Sequence, residues 1–141
     1  MVGIVIVAHG QFAKELLATT EFIVGRKDYI TSVMTDPTQS VEALREGIAS
    51  AIKKVDRGDG VIILTDMFGG TPSNISLSFL KEGGVEVLAG VNLPMLIKLA
   101  SMDTKMSIKE LAPMIREYGR KNIILANDIL AQKSQTEKSV P

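Results

Sequence analysis

Val2-Gly3-Ile4-Val5-Ile6-Val7-Ala8-His9-Gly10 is the stretch that decides the fold. Up to Ala8 it is apolar and mostly β-branched, with no polar residue at alternate positions. A strand with one face in water alternates apolar and polar side chains, whereas a strand buried on both faces does not, so this run suits a parallel sheet covered by helices on both sides. It stops at His9-Gly10, and the period changes. Phe12, Leu16, Thr20 and Ile23 fall on one helical stripe, with Ala13, Leu17 and Val24 beside it, until Gly25 supplies a stop. A buried strand passes straight into a helix.

Outward from this unit the cycle repeats. Tyr29 to Met34 reads as a second strand. Asp36-Pro37 punctuates it before Val41, Leu44, Ile48, Ile52 and Val55 recur at helical spacing. Gly58-Asp59-Gly60 is a turn, Val61 to Thr65 a third strand, and Thr71-Pro72 opens a helix that runs to Gly83-Gly84. Val85 to Val91 makes a fourth strand, and Asn92 can cap a short apolar helix containing Met95 and Leu96. Ser107-x-x-Glu110 is a capping box for a fifth helix with Ile108, Leu111, Ile115 and Tyr118 inward, and Pro113 is expected to kink it or delay its start. Asn122 to Ala126 reads as a last edge strand, and the polar residues after it as a fraying tail. The pattern predicts one α/β domain over residues 1–130, a single doubly wound, mostly parallel sheet with helices on both faces, followed by a polar, flexible tail over 131–141.

Composition removes several classes of function. Sixteen basic and sixteen acidic side chains cancel, so no global charge draws the chain to nucleic acid or an anionic membrane, and any partner has to be recognised locally. With no cysteine there is no disulfide, thiolate metal site or cysteine nucleophile. The apolar start has no basic flank or cleavage site, and every apolar run is interrupted before it reaches membrane-spanning length, which fits a cytoplasmic protein.

In an open parallel sheet, ligands and chemistry collect beyond the carboxyl ends of the strands, where strand order reverses. Ala8-His9-Gly10 stands at the end of the first strand, Thr65-Asp66-Met67-Phe68-Gly69-Gly70-Thr71-Pro72 at the end of the third, and Gly90-Val91-Asn92-Leu93-Pro94 at the end of the fourth. If the order is 2-1-3-4, His9 stands beside Asp66. A histidine nucleophile needs one ring nitrogen free, and a carboxylate on the other fixes the tautomer and stabilises the cation that forms. Gly69, Gly70 and Thr71 would add an anion site, with close backbone approach, free N–H groups and a hydroxyl. Each piece also has a plain structural use. A lone histidine can be a loop residue, Asp66 can bond backbone N–H groups in a turn, the Gly-Gly-Thr-Pro run can be a capped strand-to-helix turn, and Phe68 can be core rather than a docking group. Their coincidence on one rim favours a phosphohistidine. No Walker A sequence, no G-x-G-x-x-G and no G-x-S-x-G elbow is present, and a single histidine cannot build a His-based metal cluster.

Taken in order, the Ile4-to-Gly10 start, the Asp66-to-Asn74 segment and Gly90-Val91-Asn92-Leu93-Pro94-Met95-Leu96 resemble the enzyme IIA domain of the mannose-type (mannose/fructose/sorbose) sugar phosphotransferase system, over roughly residues 1 to 130. The resemblance implies the strand order 2-1-3-4 and a phosphoryl carrier without cofactor. His9 would accept the group from the phosphocarrier HPr and pass it to a IIB component during sugar uptake. Asp66 would be its carboxylate partner, and Thr71 with the Gly69 and Gly70 backbone the phosphate cradle. It also implies a homodimer that exchanges a C-terminal strand from the Asn122 to Leu130 region, and a link to the membrane only through the transporter's other components. Departures are mild: Ala8, Phe68 and Thr71 stand where many relatives have threonine, tryptophan and serine. The alternative is a regulatory module that binds a target according to the phosphorylation state of the same histidine, without a transport role. The sequence does not name the sugar.

Overall fold

The computed structural model describes residues 1–102 and 105–139. Four strands, β1 (Gly3–Ala8), β2 (Ile30–Met34), β3 (Val61–Thr65) and β4 (Val85–Ala89), form one sheet in the order β2-β1-β3-β4, with every pair parallel. The strand read as a continuous apolar run, β1, and its neighbour β3 occupy the centre, and every residue of both is buried. The edges go to strands with polar positions, Thr31 and Ser32 in β2 and Glu86 in β4, as expected where one side of a strand has no ladder partner.

The β1–β3 register pairs Ile4 with Ile62 and Ile6 with Leu64 on one face, and Val5 with Ile63 on the other. The first face packs on α1 (Phe12–Val24), α4 (Leu93–Ser101) and α5 (Ile108–Lys121) through Ala13, Met95, Leu96, Leu99, Leu111 and Ile115. The second packs on α2 (Val41–Val55) and α3 (Thr71–Leu77), the latter running into a 3₁₀ turn at Ser78–Glu82 that adds Phe79. Leu44, Ile48, Ala51 and Val55 recur at i, i+4, i+7 and i+11 along α2, and their burial fixes that helix on the sheet at about 1.5–3 kcal/mol for each large side chain. Buried Tyr29 ties the start of β2 to the end of α4, its hydroxyl donating toward the Leu99 and Ala100 carbonyls at 3.3 Å each.

Local signals set the helix starts. Ser40 accepts from the Ala43 N–H at 3.0 Å, Asn92 from Met95 at 3.1 Å and Ser107 from Glu110 at 3.3 Å. Pro113 lies within α5, which continues through it to Lys121.

The C-terminal edge strand expected over Asn122–Ala126 is corrected. Among the described residues the sheet has four strands, and Ala126–Ser139 is a sixth helix, α6. Asn122 closes α5 by donating from its side-chain amide to the Tyr118 carbonyl at 2.8 Å, which leaves only Ile123, Ile124 and Leu125 before Ala126. Three apolar residues without a ladder partner do not outweigh the helix formers that follow them, Ala126, Leu130, Ala131, Gln132 and Lys133. The same helix carries the backbone to Ser139 where a polar tail was expected from residue 131, while Val140 and Pro141 lie outside the described residues.

Gly3 lets β1 run close against the end of α2. A Cβ added there would lie 2.5 Å from the Val55 carbonyl oxygen, a backbone atom that has no rotamer with which to yield. Gly3→Ala is expected to lower stability by about 1–3 kcal/mol, read as a drop in the urea midpoint at unchanged slope.

Candidate active site

The carboxyl ends of β1 and β3 place His9 and Asp66 side by side. The Val7–Thr65 register brings Asp66 level with Ala8, one residue short of His9, and the aspartate side chain spans the remaining distance. Asp66 Oδ2 accepts twice from His9, from its backbone N–H at 3.0 Å and from the ring at Nδ1, 2.8 Å away. Asp66 Oδ1 accepts from the Met67 N–H at 3.0 Å. Burial of the carboxyl opposes its ionisation. The bonds from the His9 backbone and ring, the charge His9 can carry and the Met67 N–H outweigh that cost and hold the group below the ordinary aspartate range. A carboxylate can only accept, so the contact assigns a ring proton to Nδ1, and in the neutral ring the lone pair is then on Nε2.

Nε2 faces the turn after β3. A Cβ on Gly70 would lie 3.1 Å from both His9 Nε2 and Cε1, so the missing side chain is what leaves room beside the ring. Gly70 also has φ +83° and ψ 170°, a region essentially closed to other residues, and it serves as the N-terminal cap of α3. Gly69 shares the positive φ, at +97°, but a Cβ there would meet nothing within 4 Å.

A groove of about 440 Å³ opens on this corner, with His9, Thr71 and Pro72 on one side and Thr35, Val41 and Leu44 on the other. The histidine side chain is 51% exposed and the aspartate 19%, so the ring reaches outward while its partner is held in the rim. Of the residues singled out from sequence, the structure brings together His9, Asp66, Gly70 and Thr71. Phe68 is 76% exposed, which excludes a core role, and it lines a separate depression with Gly90, Asn92, Arg116 and Arg120 rather than the His9 groove. Sequence reading missed Thr35, whose hydroxyl donates to the Ala8 carbonyl at 2.9 Å and accepts from the Gly10 N–H at 3.1 Å. The signal was its place directly after β2, a strand end whose rim residues were not read.

Fold and site together define a class, a small doubly wound α/β domain with a histidine–carboxylate pair where the strand order reverses. The family model EIIA-man, described as "PTS system fructose IIA component", matches residues 3–116. The mannose-specific EIIAB component of Escherichia coli is 35% identical over 124 residues, 86% of this chain, and the chain spans 38% of that relative's length. The fructose-specific EIIA component of Bacillus subtilis is 28% identical over 131 residues, 92% of this chain and 90% of its own. The crystal structure of an EIIA component from Streptococcus agalactiae superposes with a TM-score of 0.81 at 26% identity, covering 91% of this chain and 99% of that one. The chain belongs to the mannose-type IIA family of the sugar phosphotransferase system. No helix among the described residues is long and apolar enough to cross a membrane.

Two predictions follow from the geometry of the pair. The folded Asp66 value lies below the unfolded one, about 3.9. Its contribution to stability is therefore present above that pH and lost as pH falls through the folded value. Urea unfolding of wild type and Asp66→Asn should show a wild-type advantage at pH 7 that shrinks toward about pH 3. Gly70→Ala and Gly69→Ala should both lose stability, by about 1–3 kcal/mol each from backbone strain. Only the Gly70 change should also shift the His9 ring resonances, because only there does the new methyl press on the imidazole.

Proposed function

We propose that the chain is a phosphoryl carrier that accepts a phosphoryl group from phosphorylated HPr on His9 Nε2 and passes it to a IIB component during sugar uptake. The observation that carries this reading is the 2.8 Å contact between His9 Nδ1 and Asp66, which in the neutral ring puts the lone pair on Nε2, beside the Gly70 turn. In the forward step the Nε2 lone pair attacks phosphorus in line. The P–N bond to the donor histidine breaks and its electron pair returns to the donor ring, so one P–N bond replaces another without oxidant or hydrolysis. The positive charge that grows on the His9 ring is met by the Asp66 carboxylate across the Nδ1–H bond. Thr71 shares the groove with His9, and its hydroxyl, with the Gly69 and Gly70 backbone, is the proposed cradle for the phosphoryl oxygens. Transfer by positioning and charge stabilisation calls for no bound metal or cofactor.

Phe68, exposed in the neighbouring depression beside Arg116 and Arg120, is the proposed docking group for a partner. Ile123, Ile124, Leu125, Ile129 and Leu130 are exposed near the C-terminus, and β4 has one edge without a ladder partner. Both features support a homodimer, and the lack of a membrane-spanning helix among the described residues supports a cytoplasmic place beside the transporter's membrane components.

Incubation with phosphorylated HPr should label wild type on His9 with an acid-labile, base-stable phosphoramidate and leave His9→Ala unlabelled. Asp66→Asn should keep its fold yet transfer at least about tenfold more slowly, because the ring loses both its tautomer lock and its counter-charge. Labelling of His9→Ala, or an unlabelled wild type, would sink the reading.

A further inference from the structure

We propose that Thr35 is a positioning residue for phosphotransfer at His9, acting through the two peptide groups that flank it. The parallel ladder between β1 and β2 ends at the pair Ala8–Met34, and Thr35 is the next residue of the β2 chain. At that point the backbones part, and the threonine hydroxyl takes over the ladder's work. It donates to the Ala8 carbonyl at 2.9 Å and accepts from the Gly10 N–H at 3.1 Å, so one side-chain oxygen ties down the peptide groups before and after the histidine. His9's own N–H goes to Asp66 at 3.0 Å, and its carbonyl accepts from the Phe12 N–H at 3.3 Å. Every backbone polar group from the Ala8 carbonyl to the Gly10 N–H thus has a partner, two of them in the same hydroxyl.

The hydroxyl is itself held in place. Directly after Thr35, the Asp36 side chain accepts from the Thr38 N–H at 2.9 Å and the Thr38 hydroxyl at 2.8 Å, and the Asp36 carbonyl accepts from the Gln39 N–H at 2.9 Å. This closed turn, with Pro37 in it, sets the chain that leaves Thr35. Asp66 fixes the ring from the β3 side, whereas Thr35 fixes the backbone from the β2 side. Asp66 holds the ring and the His9 N–H but neither the Ala8 carbonyl nor the Gly10 N–H, so without Thr35 the peptide groups on both sides of His9 can still shift its Cα, and the line of attack at Nε2 is set only when both anchors hold.

The inference rests on the carrier reading, and its test separates the two. Thr35→Val keeps the branched shape and removes the hydroxyl, while Thr35→Ser keeps the hydroxyl and removes the methyl. Single-turnover transfer from phosphorylated HPr is measured against donor concentration. For Thr35→Val the maximal rate should fall about tenfold with the half-saturating donor concentration unchanged. Thr35→Ser should recover the rate. Amide exchange at Gly10, followed by NMR without any donor, should be slow in wild type and Thr35→Ser and fast in Thr35→Val. A wild-type maximal rate in Thr35→Val, a change in half-saturation alone, failure of serine to rescue, or unchanged Gly10 exchange would each overturn the proposal. If wild type takes no phosphoryl group at all, the carrier reading falls, and the Gly10 exchange still decides whether Thr35 holds the His9 backbone.

Discussion

Everything at the rim depends on the pairing of β1 with β3. Two strands buried on both faces carry a single polar side chain, Thr65 at the end of β3, so register is set by how Ile4, Ile6, Ile62 and Leu64 fill one face while Val5 and Ile63 fill the other. A slip by one residue would exchange those faces, and it would also separate the histidine from its carboxylate. The same apolar packing that stabilises the sheet therefore sets the distance between two polar groups that lie outside it. Gly3 shows how little slack the arrangement has, since the Val55 backbone already occupies the space of a side chain there.

From this pairing follows the division of labour within one carboxylate. Oδ2 takes both the His9 backbone N–H and the ring, and Oδ1 takes the Met67 N–H at the start of its own loop. Asp66 thereby joins the end of β1 to Met67, the second residue beyond β3, and orients the imidazole in the same stroke. Three donors around a half-sunken carboxylate, with the charge His9 can carry, are enough to overcome the cost of its burial and to hold the group below the ordinary aspartate range.

Much of this was legible in the sequence. The β-branched, mostly apolar run of β1 pointed to a strand covered on both faces, and the strand order implied by the family resemblance put β1 and β3 at the centre. Asn92 and Ser107 identified helix starts because capping is a local event that needs only neighbours. His9 and Asp66 could be paired once the strand order was supposed, since each directly follows a central strand. What failed or was missed depends on partners distant in the chain. Ile123-Ile124-Leu125 has strand-like composition, but a strand exists only with a ladder to join, and that ladder is not visible in local sequence. Thr35 looked like an ordinary residue before an Asp-Pro turn, because its value lies in reaching across to Ala8 and Gly10. Phe68 could be placed on the rim but not in a particular depression, since loop side chains are directed by backbone torsions that the glycines beside it leave open.

The asymmetry of exposure within the pair has its own logic. On the proposed carrier reading, a group that receives from one protein and gives to another has to be reachable from outside, which argues for an open ring, yet an open ring on a loop is free to turn. Anchoring resolves the conflict. The carboxylate and the Thr35 hydroxyl hold the ring and the backbone of the histidine, and Gly70 leaves room beside Nε2 in a ring that lines the groove. The mobile element of such a site is then the incoming partner, which meets a nitrogen already aimed, and no lid has to close. On the carrier reading this is also what allows transfer in both directions, because nothing in the arrangement distinguishes a donor histidine from an acceptor once either is seated in the groove.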